Sequence, residues 1–405
     1  MRKIERKLSA DFMSIFTLCC IVIGVLFAIW TFTGKWAWLH QPYNSYILQA
    51  QAWKSGRLDI AQNYSHLEIA LFEGKYYISF PPFPSYVMFP FVLLGFKDID
   101  GIIALISAVI GAVYAFKIFR HCNMSENRSF LFTLLLTVGS NWLFTAQIAW
   151  VWFIAQNMAF TLSVMAIYYA LKGKCALSLA LWACAVGCRP FHSLYIPVIL
   201  YLLYICINKE TGLSKITDII KLKWKCVIPM IIIALSYMIL NYARFNNPFE
   251  FGHNYLPEHT ESVYGQFSAV YVVDNLKTLF RLPKISFTGA WEYQAFNGTN
   301  IFIISPIFTS YVAYTAYLFI SKNPNRQLVL LIFTCVLLQL VAIAAHNTMG
   351  GSQFGHRYTN DCLPLIFLSI ALSMPENEKY DKLNIILLGL GICVNAIGSA
   401  MYYIR

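Results

Sequence analysis

Residues 43–84, YNSYILQAQAWKSGRLDIAQNYSHLEIALFEGKYYISFPPFP, form the middle of a long polar and aromatic interruption, residues 34–100, between the first apolar stretch of the chain and the second. The segment places three carboxylates, Asp59, Glu68 and Glu73, among aromatic residues beside a Pro-Pro step. A connection of this length is either disordered or functional, and this one is too apolar and aromatic to stay disordered. It is expected to fold as a cap over a membrane-facing site. Everything around it reads as membrane scaffold.

Composition fixes that scaffold. The chain is 58% hydrophobic and only 12% charged, with a mean hydropathy of +0.58, whereas an ordinary soluble domain is about a quarter charged. An all-α polytopic membrane protein follows. A span needs roughly 20 mainly apolar residues, and about eleven segments qualify by apolar run and period: 12–33, 101–119, 129–146, 151–171, 175–188, 194–207, 226–243, 301–320, 327–346, 362–374 and 385–403. Segments 175–188, 194–207 and 362–374 are short, as tilted, broken or bundle-buried helices are.

Charge sets the orientation. If the spans alternate, the N-terminus (Arg2, Lys3, Arg6, Lys7), Arg120–Arg128, Lys172–Lys174, Lys209–Lys225, Lys322–Arg326 and Lys379–Lys382 all fall on one side, which carries nearly all of the net +11. Cytoplasmic loops collect Lys and Arg, so the N-terminus is expected inside and the loop 34–100 outside. The apolar piece Ser85–Phe96 is too short to span and would invert every later loop if it did; it is expected to lie at the interface. The basicity is thus a topology signal, and nucleic acid is not an expected partner.

The first apolar segment is long, lacks a small-residue cleavage site and leads into Trp36 and Trp38, the pattern of an anchor with an interfacial aromatic belt. The eleven cysteines lie in or beside spans, which indicates neither a disulfide framework nor a zinc motif. No repeat or hinge divides the chain, and no soluble domain is expected after the last span. Residues 1–405 are expected to form one integral membrane domain with three outer loops, 34–100, 244–300 and 346–361.

Within the first loop, Tyr46–Lys54 follows a helical period that Ser55-Gly56 ends, and Glu73-Gly74 reads as a turn that brings Tyr76 and Tyr77 back along the preceding segment. The third loop, HNTMGGSQFGHRYTND, is dense in hydrogen-bonding groups between two apolar spans, where polar backbone needs a water- or protein-lined cavity. Arg189, in Gly187-Cys188-Arg189-Pro190, stands at the outer end of a span. An arginine there either lines a polar cavity or reaches headgroup phosphates.

Several pieces taken together resemble the GT-C glycosyltransferase superfamily in its bacterial form, the polyprenyl-phosphate-sugar-dependent membrane enzymes related to protein O-mannosyltransferases and the lipid A aminoarabinose transferase. They are Ser55-Gly56-Arg57-Leu58, Gly74-Lys75-Tyr76-Tyr77 leading into Phe80-Pro81-Pro82-Phe83-Pro84, Arg189-Pro190, Asn241-Tyr242-Ala243-Arg244-Phe245 with Pro248 and Phe251-Gly252, and Gln353-Phe354-Gly355-His356-Arg357-Tyr358 with Asp361. The resemblance implies a catalytic outer loop after the first span, interfacial helices within it and a lipid-linked sugar donor entering from the bilayer. It also implies a glycan or lipid-linked acceptor and, in a bacterium, the inner membrane. One departure stands out: where the family carries an acidic residue near the start of the first loop, this chain reads His40-Gln41-Pro42-Tyr43-Asn44-Ser45, with no carboxylate.

Sugar transfer from a lipid phosphate to a hydroxyl needs a base at the acceptor and cations at the departing phosphate. Glu68 is the first candidate base, because its neighbours Leu67, Ile69 and Leu71 can raise its proton affinity by desolvation. Asp59 is the second, with a turn or capping role as its competitor. For the phosphate, Arg357 with His356 is the sharpest pair, since a guanidinium matches phosphate oxygens in a two-point geometry and Gly350, Gly351 and Gly355 let backbone approach a ligand. An Arg357–Asp361 ion pair, or Asp361 as a helix cap, is the competing reading. Arg244, Lys75 and Arg189 are further phosphate candidates; Tyr76, Tyr77 and Gln353 are candidates for sugar or lipid contact. His66, His253 and His346 have no diagnostic metal spacing, so no metal ligand is assigned, and a divalent cation is left open as cofactor. Two other classes compete with the enzyme: a flippase or transporter of lipid-linked saccharide, which would need charges or half-helices at mid-bilayer, and a non-catalytic assembly protein of the same fold.

Overall fold

The computed structural model describes the chain apart from residues 1, 286–290, 293–295, 322, 376, 377 and 405, so part of loop 244–300 and Lys322 of one basic loop lie outside the described residues. The chain is a multi-pass helical bundle. Helix α1 (Arg2–Thr33) leads into the first loop, where α2 (Ser45–Lys54), strands β1 (Ile69–Phe72) and β2 (Lys75–Ile78), and α3 (Phe83–Leu93) are folded as one cap. Then come α4 (Asp100–His121), α5 (Glu126–Leu136), α6 (Trp142–Ala146), α7 (Val151–Leu171), α8 (Cys175–Val186), α9 (Ile196–Thr211), α10 (Ile216–Lys223) and α11 (Ile228–Phe245). The second loop carries the short α12 (Pro257–Thr260) and α13 (Val272–Thr278); α14 (Ile301–Ile304), α15 (Ile307–Ile320), α16 (Arg326–Ala344), α17 (Leu363–Ser373) and α18 (Glu378–Ile404) complete the bundle.

Among the described residues, seven helical stretches are long and apolar enough to cross a membrane, against the eleven spans expected. The remaining expected spans are present as shorter or interrupted helices, for local reasons. Segment 129–146 breaks between α5 and α6 where the polar run Thr137 to Asn141 bends the backbone. Segment 301–320 breaks at Ser305-Pro306, because proline cannot donate the next helical bond. Helix α3, 11 residues long, extends only about 16 Å, half of a hydrocarbon core of about 30 Å. It is tied to α2 instead, Ser85 Oγ donating to Tyr46 O (3.0 Å) and Lys54 Nζ to Val92 O (3.0 Å).

Helix α7 is the centre of the bundle, with 78% of its span buried, against 22% for α1 and α18 and 11% for the stretch from Ile216 to Phe245. Its polar residues explain why it can be so enclosed. Asn157 donates to Ala104 O (2.8 Å) and Thr161 to Ser107 O (2.8 Å) on α4, so both side chains find a backbone acceptor in the apolar interior. At one end of the bundle, Arg120–Asp11 (2.8 Å) and Arg128–Asp381 (2.9 Å) join α1, α4, α5 and α18, which gathers at one end three of the basic segments that the charge rule puts on one side. The three polar loops converge at the other end.

Within the cap, β1 and β2 pair antiparallel with Phe72 opposite Lys75 and Leu71 opposite Tyr76, so Glu73-Gly74 is a two-residue turn. Both residues have positive φ (+48° and +73°), the backbone that matches hairpin twist. Replacing Gly74 with Val is expected to destabilise the cap by about 1–2 kcal/mol, the cost of a left-handed conformation for a residue with a Cβ, read as faster proteolysis at the 73–74 turn with the bundle intact.

Candidate functional site

Three loops and two helices enclose a cavity of about 330 Å³ at the polar end. The cap supplies Tyr46, Phe80 and Pro81; α7 supplies Trp152; the turn after α8 supplies Arg189 and Pro190; the second loop supplies Glu250, Phe251 and His253; the third loop supplies Tyr358, and His346 stands at its start. No single stretch of sequence builds this wall. It exists because the hairpin folds back against α7 and the second loop closes over it, with Gly252 (φ +106°) approaching so near that a Cβ there would stand 2.8 Å from the Phe245 ring.

Glu68 sits just before β1, is half-buried, and stands one residue back from the cavity, behind the lining side chain Trp152. Trp152 Nε1 donates to its Oε1 (2.9 Å), and Ser79 Oγ donates to its backbone carbonyl (2.9 Å). Burial, and secondarily the Glu258 carboxylate, push the Glu68 carboxyl up to about 7, against the pull of the Trp152 bond and of Arg357. Of the neighbours expected to desolvate it, Leu67 and Ile69 are buried while Leu71 faces out, 54% exposed. The side chain also lies beside the segment that lacks its acidic residue: the Tyr43 ring stands 5.1 Å from that of Trp152, the same indole that binds Glu68.

The cationic side is a pair of guanidiniums on one aromatic ring. Arg189 and Arg357 place their Cζ atoms 4.9 Å and 4.7 Å from the Tyr358 centroid, and Tyr358 faces the cavity. Arg189 binds Asp361 Oδ2 through Nη2 (2.7 Å) and Nε (3.1 Å). Asp361 also receives Gln156 Nε2 on Oδ1 (3.4 Å), with His192 Nε2 at 3.6 Å from the same oxygen. Burial alone would raise the Asp361 carboxyl; the Arg189 charge and the contacts from His192 outweigh it and hold it at about 2. The partner of Asp361 is therefore Arg189, and the competing reading, an Arg357–Asp361 ion pair, does not hold. Arg357 turns the other way, Nε and Nη2 both donating to Gly350 O (3.0 and 2.7 Å), and its buried Nη1 has no hydrogen-bond partner among the described residues.

The other candidates are placed as follows. Asp59 is paired with Arg57 (2.5 Å), which holds its carboxyl below the usual range, and it does not line the cavity. His356 packs inside the fold, Nε2 against Thr278 Oγ1 (3.1 Å), and is pushed down to about 3 by burial and by Arg281. Arg244 donates to Ile78 O (3.0 Å) and Asn241 Oδ1 (2.8 Å), bracing the base of the hairpin. Lys75 is exposed, Tyr76 half-buried, and Tyr77 buried against Phe245 (5.2 Å between rings). Gln353 underpins Arg357, its Oε1 accepting from Arg357 N (2.6 Å) and its Nε2 donating to Met349 O (2.7 Å). The room left by Gly355 is taken by the protein itself: a Cβ there would meet Asn141 Nδ2 at 2.2 Å.

Sequence reading missed Trp152, Gln156 and His192, and it quoted Tyr358 without giving it a role. A usable signal existed for one of them: Gln156-Asn157 in the middle of an apolar helix marks a polar seam that needs partners. His253 and His346 both stand at the cavity and are pushed down by burial to about 3 and about 4, so both are neutral at pH 7; His66 lies apart, exposed, at Pro42 O (3.0 Å). Among the described residues no cluster of His, Cys, Asp and Glu is arranged to hold a metal ion.

No family model matches the chain, and no curated protein matches it in sequence. Among solved structures, the crystal structure of the Archaeoglobus fulgidus oligosaccharyltransferase in the apo form matches with a TM-score of 0.51 at 10% sequence identity, over 98% of this chain and 56% of that one. The chain thus spans a little over half the length of that protein. What the two share is the path of the backbone through nearly the whole of this chain, so the fold is that of the part of the oligosaccharyltransferase it covers.

Proposed function

We propose that the chain is a membrane glycosyltransferase that moves a sugar from a polyprenyl-phosphate carrier to a hydroxyl of an envelope glycan or lipid-linked acceptor. The reaction takes place at the outer face of a bacterial inner membrane, with the N-terminus cytoplasmic. The observation that carries this reading is Glu68, a carboxyl poised near 7 and held by Trp152, which shares the cavity wall with Arg189 and Tyr358, while Arg357 packs on the same Tyr358 ring. The shared fold supports the reaction class, and the charge rule supports the orientation.

The acceptor O–H loses its proton to Glu68 as its oxygen attacks the anomeric carbon. The bond from that carbon to the carrier phosphate breaks, and the phosphate leaves with the bonding pair, inverting the configuration. Arg189, at the cavity wall, meets the charge that develops on the phosphate oxygens, and the Arg357 guanidinium on the same Tyr358 ring adds its positive field. Asp59, already neutralised by Arg57, serves the cap, and Gln353 positions Arg357. Tyr358 holds the two guanidiniums apart from each other and in register with the cavity.

A base at about 7 gives the reading its test. Turnover by the purified protein, supplied with polyprenyl-phosphate sugar and acceptor, is expected to rise about tenfold per pH unit up to pH 7 and to level off above it. A profile flat between pH 5.5 and 8 contradicts Glu68 as the base.

A further inference from the structure

A second pair of cavities lies at the other end of α8 from Arg189. One, of about 430 Å³, is bordered by Lys172, Lys174 and Lys223 with one carboxylate, Glu210. The other, of about 720 Å³, is walled by α8, α9, α10 and the start of α11 through residues such as Leu179, Leu203, Ile207, Ile219 and Ile220. Cys175 and Lys223 border both, so the basic pocket opens directly onto the apolar one. Three lysines against one glutamate leave the small pocket positive, and among the described residues none of the three is in an ion pair. The pocket also takes in Ala176 and Leu177, in the first turn of α8, where amides have no helical acceptor. On the membrane side, α10 and its continuation expose Ile216, Ile220, Leu222 and Trp224, a surface at home in acyl chains.

A polar anionic head joined to apolar tails is the one ligand chemistry that fills both spaces at once. We infer that this is a binding site for an anionic phospholipid, its phosphate among Lys172, Lys174 and Lys223 and its acyl chains in the groove between α8, α9 and α10. The site is separate from the chamber at Arg189 and takes no part in the chemistry there; α8, 12 residues long, holds the two about 18 Å apart. Its occupation would fasten α10 and α11, the least enclosed part of the bundle, against α8 and α9.

The test is thermal unfolding of the full chain in a non-ionic detergent, with phosphatidylglycerol, phosphatidylcholine or inorganic phosphate added at matched concentration. Phosphatidylglycerol is expected to raise the unfolding temperature saturably, and the other two are not. The surface variant Lys172→Gln/Lys174→Gln/Lys223→Gln should bind phosphatidylglycerol about a hundredfold more weakly, from about 1 kcal/mol for each of the three lysines near an anionic surface. Ile220→Gln, which puts an amide in the acyl groove, should also weaken it. Equal stabilisation by phosphatidylcholine would reduce the groove to ordinary solvation by lipid, and equal stabilisation by phosphate alone would make the basic pocket a free-anion site; either result overturns the proposal. So would a full shift retained by the lysine variant or by Ile220→Gln.

Discussion

Glu68→Gln is expected to lower turnover about 10²–10⁴-fold, the range for loss of a positioned general base, with donor affinity and folding preserved. Glutamine has nearly the shape of glutamate and still offers an oxygen to Trp152 Nε1, so the indole keeps its partner. What it cannot do is take a proton from the acceptor. The folding control has a definite sign. Because the folded-state value of Glu68 is raised from 4.5 to about 7, its contribution to stability is fully present below 4.5 and is lost as pH rises towards 7. At pH 8 the variant, which carries no charge in that half-buried place, should therefore unfold at the same temperature as the parent or a higher one. Steady-state rates with a fixed donor, together with a melting curve at pH 8, separate loss of chemistry from loss of structure. Unchanged turnover would remove Glu68 from the reaction.

Arg189→Met should be the most destabilising single change at the chamber, by about 3–5 kcal/mol, because removing one member of a buried pair strands the other. Asp361 is 1% exposed, and without Arg189 the side chains left in contact with its carboxylate among the described residues are Gln156 and His192. In the parent its depressed value means stability that is present above pH 3.8 and lost as pH falls towards 2. With Arg189 gone, burial pushes the carboxyl up and reverses the trend, so the variant should lose stability as pH rises above 3.8. The double variant Arg189→Met/Asp361→Leu tests whether Arg189 does more than support the fold. Replacing both partners by apolar groups is often close to neutral, so most of the stability should return. Donor binding should not, if Arg189 also meets the phosphate. Recovery of both would leave Arg189 a purely structural residue.

The sequence showed most clearly what depends on near neighbours. Hydropathy located the helices, and the turn chemistry of Glu73-Gly74 located the hairpin, because both are local properties. The interruptions at Thr137 to Asn141 and at Ser305-Pro306 were visible as residues but not as breaks, since an apolar average over a span hides a few polar positions. The chamber was harder. Arg357 and Asp361 stand four apart, which invites pairing on an α-helix, but Arg357–Cys362 is a tighter 310 turn, and Arg357 folds back onto Gly350 instead. Arg189 finds Asp361 across 172 positions of chain, and Trp152 finds Glu68 across 84. Neither pairing leaves a trace in local pattern, because what brings the partners together is the packing of α7 against its neighbours.

That one chamber should join a proton acceptor to a phosphate-binding guanidinium is the central claim, and a donor labelled separately in its sugar and its polyprenyl chain tests it directly. The purified protein in lipid vesicles, with acceptor present, should pass the sugar label to the acceptor and leave the chain label as free polyprenyl phosphate, and the Glu68→Gln protein should do neither. Both labels crossing the bilayer together, or an unchanged donor with the parent protein, would contradict it.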